Sequence, residues 1–156
     1  MFYFAYGANL NLENMKHRCP NAKPIVKFSM PNYRLVFKGV ADIEYSANET
    51  VEGMLWEITD KCEQALDIFE GYPHLYRKEY FTIKMSGKLA HDFGENADVM
   101  FYAMNSTNYG EPNQSYFNCI LDGYIANKLD TDFLYDALLH AQENHSLYRY
   151  ESKSWK

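Results

Sequence analysis

The sequence predicts a single α+β domain, in which helices pack against a mixed or antiparallel sheet. Its 156 residues are the usual length of one domain. Segments with strand or helix periodicity occur in the order strands, helix, strands, helices, and not in strict β-α-β alternation. No repeat, low-complexity stretch or change in composition marks a boundary, so we expect residues 1–156 to form one domain.

A short strand and a short helix are expected first. Residues 2–6, FYFAY, are apolar and aromatic and end at Gly7, which predicts a strand followed by a turn. The segment NLENMKHRC, residues 11–19, then predicts a helix with Asn9 or Asn11 as its cap, because its apolar residues recur at helical spacing.

Three strands should follow. VKFSM and YRLVFKG, residues 26–30 and 33–39, alternate in polarity on either side of a predicted turn at Pro31 and Asn32. TVEGMLWEI, residues 50–58, predicts a further strand. Within it, Gly53 indicates either a bulge or a point where another backbone approaches closely.

The clearest helix pattern covers residues 60–70. Thr59 or Asp60 caps it, and Gly71 and Pro73 end it in the expected order. Its apolar residues fall at i, i+3, i+4 and i+7, namely Cys62, Ala65, Leu66 and Phe69.

Two strands and two helices complete the chain. RKEYFTIKM and VMFYAM, residues 77–85 and 99–104, predict strands separated by a polar loop. Residues 115–128 and 131–145 carry helical apolar stripes. The polar tail, residues 146–156, is either a final strand or a loose end.

Charge and composition argue against several partners. The net charge is −6, from 15 basic and 21 acidic residues without a basic run, which disfavours nucleic acid. The N-terminal segment lacks the apolar run of a signal or membrane span, so we expect a cytoplasmic protein without a membrane partner. The aromatic content, 17%, favours either a tyrosine-lined ligand pocket or an aromatic β core.

No motif for a metal or cofactor is found. Cys19, Cys62 and Cys119 lie far apart without C-x-x-C spacing, which is typical of reduced, buried thiols. The five histidines follow no metal-ligand spacing, and no glycine-rich phosphate or dinucleotide loop occurs. We therefore expect neither a metal nor a cofactor.

The stretch YGANL, residues 6–10, is a first candidate site. A strand ends there and a short helix begins, so successive backbone N–H groups can point into a common space and bind a carboxylate or an oxyanion. The alternative is an ordinary turn with an Asn helix cap.

Glu70 is the second candidate. It ends the predicted helix before Gly71, where the negative end of the helix dipole should raise the pKa of a carboxylate. The aromatic residues Phe69, Tyr72 and Tyr76 would add desolvation, while Lys78 or Arg77, if close, would oppose it. A glutamate that exchanges protons near pH 7 suits acid–base catalysis, and the alternative is a solvent-facing side chain.

Taken together, these stretches resemble the γ-glutamylcyclotransferase-like family, which includes γ-glutamylamine cyclotransferases and AIG2-like proteins. YFAYGANL matches its Y-x-x-Y-G-S-N-L pattern, and VEGMLW matches its V-x-G-x-L-Y/W strand. LDIFEG, with Tyr76 shortly after it, matches L-D-x-x-E-G. A looser match brings the resemblance to about the first 125 residues.

The resemblance implies a small mixed β-barrel flanked by helices, with one pocket at its mouth. It implies a cyclotransferase that releases 5-oxoproline from a small γ-glutamyl compound, without a metal or cofactor, as a monomer or homodimer. Glu70 would be the catalytic residue. The substrate-binding residues would be Tyr6, Gly7, Ala8, Asn9, Leu10, Tyr76 and Tyr116.

One departure bears on substrate choice. Ala8 stands where the family usually has serine, so a side-chain hydroxyl is missing while the backbone N–H remains. The alternative function is a non-catalytic ligand-binding or interaction domain with the same fold.

Overall fold

A five-stranded mixed sheet forms the centre of the computed structural model, which describes residues 1–145. The strands lie in the order β2-β3-β1-β5-β4, and β1 runs parallel to β5 while every other neighbouring pair is antiparallel. Their bounds are β1, Phe2–Ala5; β2, Lys23–Phe37; β3, Ala41–Glu57; β4, Tyr76–Lys84; and β5, Asn96–Met104. The mixed sheet of the predicted α+β class is confirmed.

The sheet curls without closing. Strands β2 and β4 are its two edges, so the expected barrel is an open, curled sheet. Aromatic side chains from both edges nevertheless meet, since the ring centroids of Phe28 and Phe81 lie 5.7 Å apart in a stacked arrangement. Phe4 of β1 contacts both rings at about 6 Å. Apolar packing therefore joins the edges where backbone hydrogen bonds do not.

Strands β2 and β3 form one long hairpin, which corrects the predicted turn at Pro31 and Asn32. They contain 15 and 17 residues and stay paired past Pro31, where the register shifts by a bulge-like irregularity. Asn32 has a φ of 63° there and accepts a hydrogen bond from the Asn48 N–H. Proline has no N–H to donate to a ladder, so a bulge is where an otherwise continuous strand tolerates it.

Gly53 marks a close approach of two backbones, as one of the two predicted alternatives requires. A Cβ atom there would lie 2.3 Å from the carbonyl oxygen of Ala5 and 2.6 Å from the Phe4 ring. The neighbouring β1 strand therefore leaves no space for a side chain.

Within residues 1–145, five α-helices flank the sheet. Their bounds are α1, Leu12–Arg18; α2, Asp60–Glu70; α3, Gly87–Phe93; α4, Gln114–Ala126; and α5, Thr131–Asn144. Thr59 caps α2 through a hydrogen bond from the Cys62 N–H, and Gly71 ends it in the left-handed conformation. Asn11, one of the two predicted caps, caps α1. The polar loop predicted between β4 and β5 contains α3.

The buried residues form one continuous core that includes residues of both the sheet and the helices. Phe4, Leu10, Leu55, Leu66 and Ile120 are completely buried within it. Among the helices of residues 1–145, none is long and apolar enough to cross a membrane. The tail predicted as a strand or a loose end, residues 146–156, lies outside the described part of the chain.

Candidate active site

A pocket opens where β1, β4 and β5 meet the end of α2 and the turn after β1. Its cavity volume is about 30 Å³, so the pocket is narrow. It is lined by Tyr3, Tyr6, Gly7, Ala8, Asn9, Ala41, Phe69, Glu70, Tyr76, Tyr102 and Tyr116. These residues come from seven separate parts of the chain, so the pocket exists only in the folded protein.

Seven of the eight predicted site residues line this pocket, and Leu10 does not. Leu10 is completely buried beneath the turn. It packs against α4, where a Cβ atom on Gly123 would lie 2.7 Å from the Leu10 Cβ. Leu10 therefore supports the pocket floor from behind and does not reach the space where a ligand would lie.

Glu70 is the last residue of α2, as predicted, and its side chain faces the pocket. Burial raises its pKa to about 7, and the nearby Arg18 partly opposes that shift. Within residues 1–145, no hydrogen bond or ion pair reaches the Glu70 carboxylate. A carboxyl group with this pKa has both protonation states available near neutral pH.

The cation that opposes the shift is Arg18, and neither of the two predicted cations takes that role. Lys78 pairs instead with Asp67 and Glu63, at 2.9 and 3.3 Å. Arg77 pairs with Glu79 at 2.6 Å. Arg18 stacks on the ring of Phe69, with its guanidinium carbon 3.4 Å from the ring centroid.

The turn after β1 is a single turn of 3-10 helix, Ala8–Leu10, preceded by Gly7. Its first three amides, those of Gly7, Ala8 and Asn9, donate no hydrogen bond to another part of residues 1–145. A Cβ atom on Gly7 would lie 3.1 Å from the Ala41 Cβ, so a larger residue would narrow the pocket. The turn therefore combines available N–H donors with the space for a ligand to approach them.

Three tyrosines in the pocket wall already donate hydrogen bonds to other groups of the protein. Tyr6 donates to the carbonyl of Tyr102 at 2.5 Å, and Tyr76 donates to the carbonyl of Ala41 at 2.6 Å. Tyr102 donates to Asp67, whose other oxygen binds Lys78. Because each proton is held by an acceptor, these hydroxyl groups can offer only lone pairs to a ligand.

The hydroxyl group of Tyr116 takes part in a hydrogen bond of the opposite direction, as an acceptor. Its hydroxyl oxygen accepts a hydrogen bond from the Ala41 N–H at 2.9 Å. Its proton has no acceptor among the residues that the structure describes. Tyr116 can therefore donate to a ligand, whereas its neighbour Tyr76 can accept from one.

Sequence reasoning missed several residues of this site. Tyr3 had a local signal, because strand alternation places it on the same side of β1 as Ala5 and thus toward Gly7. Arg18 and Tyr102 had none, since only the folded chain brings them to Asn9 and Tyr6. No group of three potential metal-ligating side chains is found within residues 1–145.

Comparison with known proteins gives consistent results. The profile of the family described as gamma-glutamyl cyclotransferase, AIG2-like, matches residues 3–119. A curated Homo sapiens protein named gamma-glutamylcyclotransferase is 25% identical over 143 residues, covering 84% of this chain and 73% of that protein. The profile match includes every candidate site residue, from Tyr3 to Tyr116.

Solved structures resemble the fold. One named gamma-glutamyl cyclotransferase has a TM-score of 0.72 at 21% identity, over 87% of this chain and 85% of its own. An AIG2-like protein from Mus musculus has a TM-score of 0.54 at 16% identity, over 74% and 80% of the two chains. With the family profile spanning well over half of its length, the chain belongs to the gamma-glutamyl cyclotransferase, AIG2-like family.

Proposed function

We propose that this protein is a cyclotransferase that acts on small γ-glutamyl compounds and releases 5-oxoproline and a free amine. The observation that carries the proposal is the meeting of Glu70, with a pKa of about 7, and the amide-rich turn after β1 in one small pocket. Membership of the family supports the same reaction class.

In the proposed reaction, the α-amine nitrogen of the γ-glutamyl group attacks its own γ-carbonyl carbon. The carbonyl π electrons move to oxygen, and the oxyanion then reforms the carbonyl as the bond to the leaving nitrogen breaks. The α-nitrogen carries three protons in the ammonium group and keeps one in the ring amide, so it loses two. One passes to the leaving nitrogen as its bond to carbon breaks, and the other passes through solvent to the free amine, which departs as an ammonium ion. Because both nitrogens are bonded to the same carbon during the reaction, a single carboxylate beside that carbon can carry the proton that passes between them.

Glu70 is the proposed proton carrier. Its pKa of about 7 leaves part of the population ionised and able to accept the ammonium proton at neutral pH. The same pKa keeps the protonated form acidic enough to give the proton to the leaving amine. Among the residues that the structure describes, no other carboxylate lines the pocket.

The remaining pocket groups suit a γ-glutamyl substrate. The amides of Gly7, Ala8 and Asn9 are the proposed donors to the oxyanion, and their positions are fixed before the substrate binds. The lone pairs of Tyr6 and Tyr76 suit the α-ammonium group, because their protons are held elsewhere. A pocket that folds the glutamyl chain for ring closure also lowers the entropic part of the barrier, by up to roughly 7–11 kcal/mol.

The pocket holds little beyond the γ-glutamyl end. Because the pocket is narrow, we propose that the leaving amine extends through its mouth past Phe69, which lines the pocket and has a partly exposed side chain. Contacts outside the pocket would then set the preference among γ-glutamyl compounds.

The test is 5-oxoproline formation from a panel of γ-glutamyl compounds, measured by mass spectrometry. We expect Glu70→Gln to lower kcat by at least about 100-fold while the fold is kept, because the amide cannot carry a proton. Glu111→Gln, an exposed glutamate outside the pocket, serves as the matched control. Turnover by the Glu70 variant at the wild-type rate would contradict the proposal. Binding without turnover in the wild type would favour a non-catalytic ligand-binding domain.

A further inference from the structure

Tyr3 is a buried tyrosine of the pocket wall. Its hydroxyl group accepts a hydrogen bond from Asn9, whose orientation is determined by Arg18. Tyr3 lies on β1, is only 4% exposed and faces the same space as Glu70. Its oxygen accepts a hydrogen bond from the side-chain amide of Asn9 at 3.0 Å. Its proton reaches no acceptor within residues 1–145.

Arg18 fixes which end of the Asn9 amide meets Tyr3. A guanidinium group can only donate hydrogen bonds, and Arg18 lies 2.8 Å from the Asn9 oxygen Oδ1. The nitrogen Nδ2 must therefore point the other way, toward the Tyr3 hydroxyl. The amide orientation follows from the chemistry of its partners, so the Tyr3 oxygen is an acceptor on this side.

Arg18 contacts the pocket wall through Asn9 and Phe69. It is not part of the pocket lining, and its guanidinium group packs behind the wall against the Phe69 ring. It lines a separate surface depression beside Cys19 and Cys62. Arg18 is therefore placed to orient the wall and not to contact a ligand in the pocket.

This arrangement makes Tyr3 a donor, unlike three of the other tyrosines in the pocket wall. The hydroxyl groups of Tyr6, Tyr76 and Tyr102 donate hydrogen bonds to carbonyl or carboxylate oxygens. Tyr3 has accepted a hydrogen bond on its oxygen, so its proton remains available on the pocket side. Burial and the Glu70 carboxylate both raise the pKa of Tyr3, so the hydroxyl keeps its proton at neutral pH.

We propose that Tyr3 donates a hydrogen bond to an anionic oxygen of the substrate, and that Arg18 and Asn9 are positioning residues which hold the Tyr3 hydroxyl in that direction. The inference rests on the proposed function. A γ-glutamyl substrate has two such oxygens: a carboxylate oxygen of the α-carboxylate, and the oxyanion that forms on the γ-carbonyl. Tyr116, whose proton is also available, is the companion donor across the pocket.

Tyr3→Phe removes the donor and keeps the ring. We expect kcat/KM for 5-oxoproline formation to fall about 10- to 100-fold, as for a lost hydrogen bond to a charged group. A rise in KM with weaker calorimetric binding of 5-oxoproline, which keeps the carboxylate, would identify the carboxylate as the partner. A fall in kcat at unchanged KM would identify the oxyanion. Tyr80→Phe, at an exposed position on β4, is the matched control.

Asn9→Asp tests the direction of the hydrogen bond while the tyrosine stays in place. The new carboxylate has no proton to donate, so it accepts from Arg18 and from the Tyr3 hydroxyl, which turns the Tyr3 proton away from the pocket. We expect a loss similar to that of Tyr3→Phe, and little further loss when the two substitutions are combined. Such non-additivity is what a shared hydrogen bond produces, and independent losses would multiply.

The outcomes separate this inference from the proposed function. Tyr3→Phe with kcat/KM within about twofold of the wild type would overturn the inference and leave the proposed function intact. So would multiplying losses in the double variant. If Tyr3→Phe does not fold, the Asn9→Asp variant tests the inference by itself. Full activity of that variant would then overturn the inference. A wild type that forms no 5-oxoproline rejects the proposed function, and calorimetric binding of glutamate to the wild type and Tyr3→Phe then decides the donor assignment.

Discussion

Glu70 combines three properties that surface glutamates seldom share. It ends a helix, where the carbonyl groups of the last turn disfavour a negative charge. Its carboxylate is held in an aromatic pocket without a bonded partner from residues 1–145. Arg18, the one cation of residues 1–145 that acts on it, is engaged with Asn9 and Phe69. Ionised Glu70 is therefore a cost to the fold, and the chain bears that cost at the proposed catalytic site.

This cost makes the stability of the protein depend on pH. The pKa of Glu70 is about 7 in the folded protein and near 4.5 in the unfolded chain. Between these values the folded state binds more protons than the unfolded state, so its stability falls as the pH rises. The full loss above pH 7 is on the order of 3 kcal/mol.

Glu70→Gln removes that dependence, because the amide does not ionise. We expect the variant to unfold at the same denaturant concentration as the wild type near pH 4, and to be more stable above pH 7. Urea unfolding from pH 4 to pH 8 measures the difference. An unchanged difference across this range would contradict the raised pKa, whether or not the variant is active.

Helix α4 and the turn after β1 are held together as a pair of elements. A Cβ atom on Gly123 of α4 would lie 2.6 Å from the Leu10 carbonyl carbon and 2.8 Å from the Asn11 nitrogen. The Asn127 side chain donates to the Leu10 carbonyl, and Asn11 donates to the carbonyl of Cys119. The close contact and these two hydrogen bonds fix the turn that carries the proposed oxyanion donors.

Gly123→Ala should separate these two elements. Alanine favours a helix by about 1 kcal/mol over glycine, so helix propensity alone predicts stabilisation. The clash with the Leu10 and Asn11 backbone outweighs it, and we expect a net loss of about 1–3 kcal/mol with a lower kcat. Asp122→Ala, at the exposed neighbouring position in α4, gains propensity without a clash and should keep full activity. Equal unfolding midpoints for the two variants would contradict the proposed contact.

The elements that the sequence predicts correctly are those determined by a few neighbouring residues. The cap at Thr59, the apolar spacing of α2 and the stop at Gly71 placed Glu70 at the end of its helix. The predicted turn at Pro31 and Asn32 is wrong. A bulge and a turn use the same residue types, and only pairing with β3 distinguishes them. The pocket could be predicted in part for the same reason. Neighbouring residues predicted the turn after β1, but contacts such as that of Arg18 with Asn9 form only when the chain folds.

At the scale of the whole molecule, one buried ion pair links the hairpin to the far side of the sheet. Lys38 and Asp42 lie 2.6 Å apart, with side chains 8% and 2% exposed. The other oxygen of Asp42 accepts from the Met104 N–H at the end of β5. The preceding residue, Ala41, holds the hydroxyl groups of Tyr76 and Tyr116. The pair therefore positions two pocket walls as well as two strands.

Lys38→Met should destabilise the protein strongly, because it leaves the buried Asp42 carboxylate without its cation. The expected loss is about 3–5 kcal/mol in the free energy of unfolding at neutral pH. Burial already raises the pKa of Asp42 beside Lys38, so the loss should be smaller at pH 5, where protonation removes more of the uncompensated charge.

Lys88→Met provides the matched control for this last prediction. Lys88 and Asp92 have the same sequence spacing and a similar distance, 2.8 Å, but the lysine is 85% exposed. An exposed pair of this kind contributes about 0.5 kcal/mol or less. Urea unfolding of both variants at pH 5 and pH 8 compares the two pairs directly. A small, pH-independent loss for both would mean that Asp42 does not depend on Lys38, and that backbone N–H donors are sufficient to hold the carboxylate in place.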